Sequence, residues 1–277
     1  MTTEDNAPPG VDPTRPSIAR VYDFMLGGKD NFAIDRQVAA MALQITPDGP
    51  AAGRAGRRFL GRVVRYLAGE VGITQFLDLG SGLPTQGNVH EIATSVNPDA
   101  RVVYVDNDPM VLAHGRALLA TAPTAEVINA DIREPDKILE HPDVRSLIDF
   151  DKPVGLLLLA ILHHLNDAED PAGIAARFIA ALPSGSYVAI SHFHDPGEAH
   201  PDASRKALAV EKIFNERLGT GRWRSAAEIL SYLPGLEVLE PGLVPMEEWR
   251  PDPDDDAESV DQSDTYYTFV GVVARKP

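Results

Sequence analysis

Cysteine is absent from the 277 residues of this chain. Disulfides, iron–sulfur clusters and thiolate nucleophiles are excluded together, and a reducing compartment is the natural setting. Positive charge is scarce: 25 Lys and Arg face 41 Asp and Glu, a net of −16. Such a surface repels phosphate backbones and anionic membranes, so neither nucleic acid nor a lipid surface is expected as a partner. The one basic cluster, Arg54, Arg57, Arg58, Arg62 and Arg65, has the spacing of a helix face and reads as a solvated one. Long apolar runs are missing too; the longest, "VGLLLLAIL" at 154–162, is too short to cross a bilayer. No charged-then-apolar leader opens the sequence, which makes a cytoplasmic protein the expectation.

Apolar residues make up 44% of the chain, enough for a large buried core. Residues 1–16 are polar and proline-rich and are expected to be a flexible tail. Ser17 reads as the N-cap of a short helix that ends at Gly27-Gly28, with more helical patterning over 33–43 and 51–71. From "QFLDLGSG" the rhythm changes. Strands predicted at 75–79, 101–105, 126–129, 154–161 and 187–193 alternate with helices near 86–96, 109–121, 134–148 and 169–182. That alternation predicts an α/β fold with a doubly wound, mostly parallel sheet. Helices are then expected at 204–218 and 225–233, a strand near 236–239, and a long last strand in "YYTFVGVVARK". Between these, 241–265 holds nine carboxylates against one arginine and reads as an acidic, solvated loop. No internal repeat is visible.

The segment "DLGSGLPTQGN" (78–88) ends the first clear strand and opens a helix. Gly80 and Gly82, flanking Ser81, permit a tight turn and close approach of a ligand to the backbone. Asp106 ends the next strand, 24 residues after Gly82, where a carboxylate accepts both hydroxyls of a ribose. A dinucleotide site wants a third glycine where Thr85 stands, and Asp78 fits poorly beside a diphosphate. Asp78 fits well beside the sulfonium and ammonium of S-adenosylmethionine (SAM). No tyrosine is followed four residues later by lysine, so a nicotinamide-dependent oxidoreductase lacks further support. After the third strand, in "NADIREP", Asp131 is placed to accept from an adenine amino group and Ile132 to pack on the ring.

The motifs "FLDLGSGLPTQGNVHEIA", "VVYVDNDPMVLAHGRALL", "NADIREP" and "LHHL" resemble those of class I SAM-dependent methyltransferases. More narrowly, "PSIARVYDFMLGGKDNFAIDR" with "GSGLPTQGNVH" is similar to the actinobacterial S-adenosyl methyltransferase family, long catalogued as a domain of unknown function. The resemblance implies a Rossmann-like seven-stranded sheet with an antiparallel last strand, and SAM as cofactor, with Asn107 beside Asp106 in its site. It also implies that N-terminal helices, residues 17–72, form a lid over a methyltransferase domain at 73–277. The stretch "YDFMLGGKDNF" is then part of the lid, with Arg20, Tyr22, Asp23, Gly28, Lys29 and Asn31 lining it. A phosphate loop fails there, because Asp23 stands where its first glycine would be and Asp30 follows Lys29.

Methyl transfer needs alignment, and a base only where the acceptor must lose a proton. His163 and His164 follow the fourth strand, and His192 and His194 lie at the fifth; His163 and His194 are favoured as catalytic. His192, His194, Asp195 and Glu198 could ligate a metal, yet H-x-H at a strand end is more often pocket lining, and no metal is expected. Without cysteine, covalent cytosine C5 methylation and radical SAM chemistry are excluded. Nucleobase amino-methylation usually shows Asn/Asp-Pro-Pro-Tyr/Phe after the fourth strand, where this chain has Ala160-Ile161-Leu162-His163. The expectation is transfer to an oxygen or nitrogen of a small molecule, with a non-catalytic SAM-binding or regulatory role as the alternative. The sequence is silent on oligomeric state.

Overall fold

A computed structural model describes residues 7–84, 87–120, 122–252 and 263–277. Residues 1–6 of the expected tail, Thr85, and residues 253–262 of the acidic loop lie outside the described residues. In chain order the principal elements are α1 (Ile18–Met25), α2 (Ala33–Leu43), α3 (Gly49–Arg65), β1 (Gln75–Leu79), α4 (Val89–Val96), β2 (Arg101–Asp106), α5 (Pro109–Leu119) and β3 (Ala125–Asn129). Then follow α6 (Pro135–Leu139), α7 (Pro142–Leu147), β4 (Gly155–Leu159), α8 (Pro171–Ala181), β5 (Tyr187–Phe193), α9 (Pro201–Leu218) and α10 (Ala226–Leu230). The chain closes with β6 (Glu237–Val238), β7 (Val244–Pro245), α11 (Asp264–Tyr267) and β8 (Phe269–Arg275).

The sheet runs β3-β2-β1-β4-β5-β8-β6, with β7 also paired to β8. Strands β1 to β5 are parallel and β8 is antiparallel to β5. The expected seven strands are therefore eight, because the edge strand is in two pieces. Pro241 has no N–H for the ladder, and Gly242, at φ +95°, turns the chain back with its N–H on Leu239 O at 2.8 Å. Successive side chains of each strand face opposite layers. Leu77, Leu79, Leu156 and Leu158 meet Phe178 of α8 on one side, while Phe76 and Leu157 meet Phe59 and Leu67 on the other.

Local chemistry explains the other departures from expectation. The helix expected over 134–148 breaks in two at Pro142. Strand β4 stops at Leu159 because Ala160 takes φ 55°. Tyr266 and Tyr267 belong to α11 rather than to the last strand. The supposed solvated loop has a buried anchor in Trp249, packed edge-on to Phe59 at 5.6 Å. Arg62, expected on a solvated face, is buried and donates to the carbonyls of Trp249 (2.9 Å) and Met246 (2.6 Å). No described helix is long and apolar enough to cross a membrane.

Candidate active site

A cavity of about 700 Å³ opens at the carboxyl ends of β1, β2, β4 and β5, where ligands of open α/β sheets bind. Sites for drug-sized ligands run to roughly 300–1,000 Å³, so the cavity is of ligand-binding size. Its lining joins Asp78, Gly80, Ser81, Gly82, Asp106 and Asn107 to Tyr22 and His163. Of the other residues expected in the site, Gly28, Lys29, Asn31, Asp131, Ile132 and His194 are not part of that lining.

The glycine turn is braced by one carboxylate. Asp106 Oδ2 accepts the Gly82 N–H at 2.8 Å and Oδ1 accepts the Asp108 N–H at 2.9 Å. Gly80 and Gly82 both have positive φ, +72° and +67°. A Cβ on Gly80 would lie 2.5 Å from Ile161 Cδ1, so a protein neighbour forbids a side chain there, not only a ligand. A Cβ on Gly82 would meet nothing within 4 Å. Gly82→Ala is therefore expected to cost only the left-handed backbone penalty, about 1–2 kcal/mol, measured as a lower denaturant midpoint.

Burial sets the charge states. Asp78 is pushed up to about 7, by burial first and also by Asp106, with Arg57 opposing. Asp106 is pushed up to about 6 by burial, despite the N–H bonds of Asp108 and Gly82. Asp131 behaves oppositely: Arg133 grips it, with Nε at 2.9 Å, and lowers it to about 2. Its Oδ2 also takes Asn107 Nδ2 at 3.3 Å, tying the ends of β2 and β3 together. Ile132 packs into the core with Ile128 and Leu162.

The N-terminal segment covers the cleft. Asp35, fully buried at the start of α2, accepts Arg20 Nε (2.9 Å), Ser17 N–H (2.9 Å) and Phe32 N–H (2.8 Å). Ser17 Oγ bonds Asp108, whose other oxygen caps α5 through Met110 N–H at 2.8 Å. The N-terminal segment is thus bolted to the residue two places after Asp106. Residues Gly10, Val11, Asp12, Arg15 and Pro16, expected in the tail, line the cavity beside it. Tyr22 reaches in from α1 and donates to Gly53 O at 3.2 Å. The following turn is organised by Asp23: Oδ2 accepts Asp30 N–H (2.9 Å) and Asn31 Nδ2 (2.8 Å). A Cβ on Gly28 would lie 1.9 Å from Asp23 Oδ1, so glycine is required by that carboxylate. Lys29 is exposed. Asp23, Gly28 and Asn31 shape the turn, and of the residues expected to line the lid Arg20 and Tyr22 reach the cavity.

His163 and His192 are buried, and ring nitrogens of His163, His192 and His194 are engaged. His163 Nδ1 accepts the Phe193 N–H at 3.1 Å, which places its proton on Nε2. Burial holds it well below its ordinary value. His164 and His192 are each lowered to about 3 by burial. His192 Nδ1 donates to Phe193 O at 2.6 Å, and His194 Nδ1 to Tyr267 O at 2.8 Å. Arg57 went unrecognised in the sequence because helix spacing hid that one member of the arginine stripe turns into the cavity. Asp108 was missed too, although Asp-Pro at 108–109 is a readable helix start.

The residues present fit SAM: open space over Gly82, a buried carboxylate aligned with the turn, and Asp78 beside it for a cation. Fold and site together define a class I SAM-dependent methyltransferase. The chain matches the S-adenosyl methyltransferase family over residues 4–277 and belongs to it. A candidate methyltransferase from Thermobifida fusca YX is 46% identical, with 97% of this chain and 98% of that one covered and a TM-score of 0.89. A DUF574 family protein from Streptomyces avermitilis MA-4680 is 39% identical over 96% and 99%, TM-score 0.88. An O-methyltransferase family protein from Burkholderia thailandensis shares the fold at 12% identity, over 92% and 63%, TM-score 0.53. No curated protein matches the chain. The cofactor of this enzyme is SAM.

Proposed function

We propose that the chain transfers the methyl group of SAM to an oxygen or nitrogen of a small molecule, in the covered cavity above β1, β2, β4 and β5. One observation carries this reading: the braced turn, the two buried carboxyls and the lid's Tyr22 line a single cavity of about 700 Å³. Bound SAM supplies an electrophilic methyl group. Asp106 receives the ribose hydroxyls, and Asp78 the positive end. Asn107, with Asp131 and Ile132 behind it, borders the adenine. The lid from α1 to α3 excludes water, and Tyr22 sits over the reacting end. His163, its proton on Nε2, does not act here as a base. The negative surface and the enclosed site favour a small molecule over nucleic acid.

Release of S-adenosylhomocysteine (SAH) on adding acceptors tests the transfer, and calorimetry with SAM and NAD tests the site; tighter binding of NAD would refute it. The raised carboxyls add a pH signature. Because their folded values exceed the ordinary carboxylate value, the folded chain holds extra protons between about pH 4 and pH 7. These two groups therefore cost stability as pH rises through that window, and a bound cation restores it. With Asp78 near 7, SAM affinity is expected to be ~tenfold weaker at pH 6 than at pH 8. SAH, lacking the sulfonium, is expected to show a shallower dependence, and Asp78→Asn to flatten both. A flat SAM profile in wild type would remove Asp78 from the site.

A further inference from the structure

The cavity's charges are confined to one side. Its carboxylates and arginines come from residues 12–20, Arg57 and the ends of β1 and β2, and among the described residues no lysine or glutamate lines it. The other side, formed by the end of β5, α9, Trp223 and the start of β8, is aromatic. The His163 ring lies 3.5 Å from the Phe193 ring at 15°, and Phe193 lies 4.1 Å from Trp223 at 14°, making a three-ring stack. Phe269 meets Phe193 edge-on at 4.8 Å, and Phe214 tilts against Trp223 at 5.8 Å.

Resting on the function proposed above, we infer that the methyl acceptor is an uncharged, flat aromatic molecule, seated against the Phe193–Trp223 wall. An ionised acceptor there would lose its hydration with no charged lining side chain on that side to replace it. Rings locked in a stack present fixed planes and edges, which suit another ring in offset or edge-to-face contact better than a flexible chain. Trp223 Nε1, His163 Nε2 and His164 Nδ1 are buried without a partner among the described residues and have no surface open to the cavity, so the wall offers a ligand rings and apolar edges rather than hydrogen bonds.

The test is calorimetry on the SAH-saturated protein with three probes: 2-naphthol, naphthalene-2-sulfonate with the same rings and a charge, and octan-1-ol with similar apolar area but no ring. The expected result is 2-naphthol bound at least ~tenfold more tightly than either of the others. Leu218→Asp, at a half-buried lining position, is expected to abolish that preference with SAH affinity unchanged; Phe214→Asp serves if Leu218→Asp does not fold. Binding of the sulfonate or octanol as tight as 2-naphthol, or no 2-naphthol binding to the SAH complex, overturns the inference alone. Failure of SAH itself to bind overturns the underlying function as well.

Discussion

Asp35→Ala is expected to destabilise the protein by about 3–5 kcal/mol, the usual cost of removing one partner of a buried ion pair. The side chain has no exposure, and three donors converge on it: Arg20 Nε, Ser17 N–H and Phe32 N–H. Alanine leaves two backbone N–H groups unsatisfied. It also leaves the buried Arg20 guanidinium with Asp108 at 3.7 Å as its remaining ion-pair partner. Because Ser17 and Arg20 also hold Asp108, the damage extends to the cleft. Hydrogen exchange is expected to quicken over residues 17–43 before it does in β1, β4 and β5, and SAM affinity to fall with it. Asp35→Asn keeps the volume and one acceptor and should lie between. A loss of stability below about 1 kcal/mol in urea titration, with unchanged exchange over 17–43, would show that the lid does not depend on this clamp.

Sequence reading went furthest where a few neighbouring residues determine the outcome. Strands β1 and β5 begin and end where their apolar runs do, at Gln75–Leu79 and Tyr187–Phe193. Asp78, Gly80, Gly82 and Asp106 were legible because a strand, a tight turn and a second strand fix their positions within one βαβ unit. The lid residues were harder. Asp23 and Asn31 look like ligand contacts in a polar run, but their partners are each other, the local backbone and Arg36. What bolts the lid down is Ser17 to Asp108, 91 residues apart, which no local pattern encodes. Arg62 illustrates the same limit: its place on a helix face says nothing of Met246 and Trp249 arriving from the chain's far end. The histidines were legible by position but not by state. For His163, it is the Phe193 N–H on Nδ1 that shows where the proton sits, and that partner lies 30 residues away.

Asp106→Ala is expected to weaken SAM binding by about 1.5–3 kcal/mol, roughly 10–150-fold, the worth of hydrogen bonds to a charged group. Its two oxygens already accept Gly82 and Asp108 N–H groups, and each keeps a lone pair for one ribose hydroxyl. The carboxylate fixes the turn, and in the proposed function it binds the sugar as well. Asparagine is a poor substitute, because its amide N–H₂ would face one of those backbone donors. Asp106→Asn is therefore expected to bind SAM no better than Asp106→Ala. The ribose is common to both ligands, so SAM and SAH should lose the same factor here, whereas Asp78→Asn should cost SAM more. Titration calorimetry on both variants separates the two roles. Equal affinity of wild type and Asp106→Ala for SAM would place the sugar elsewhere, and a loss seen for SAM alone would exchange the assignments of the two carboxyls.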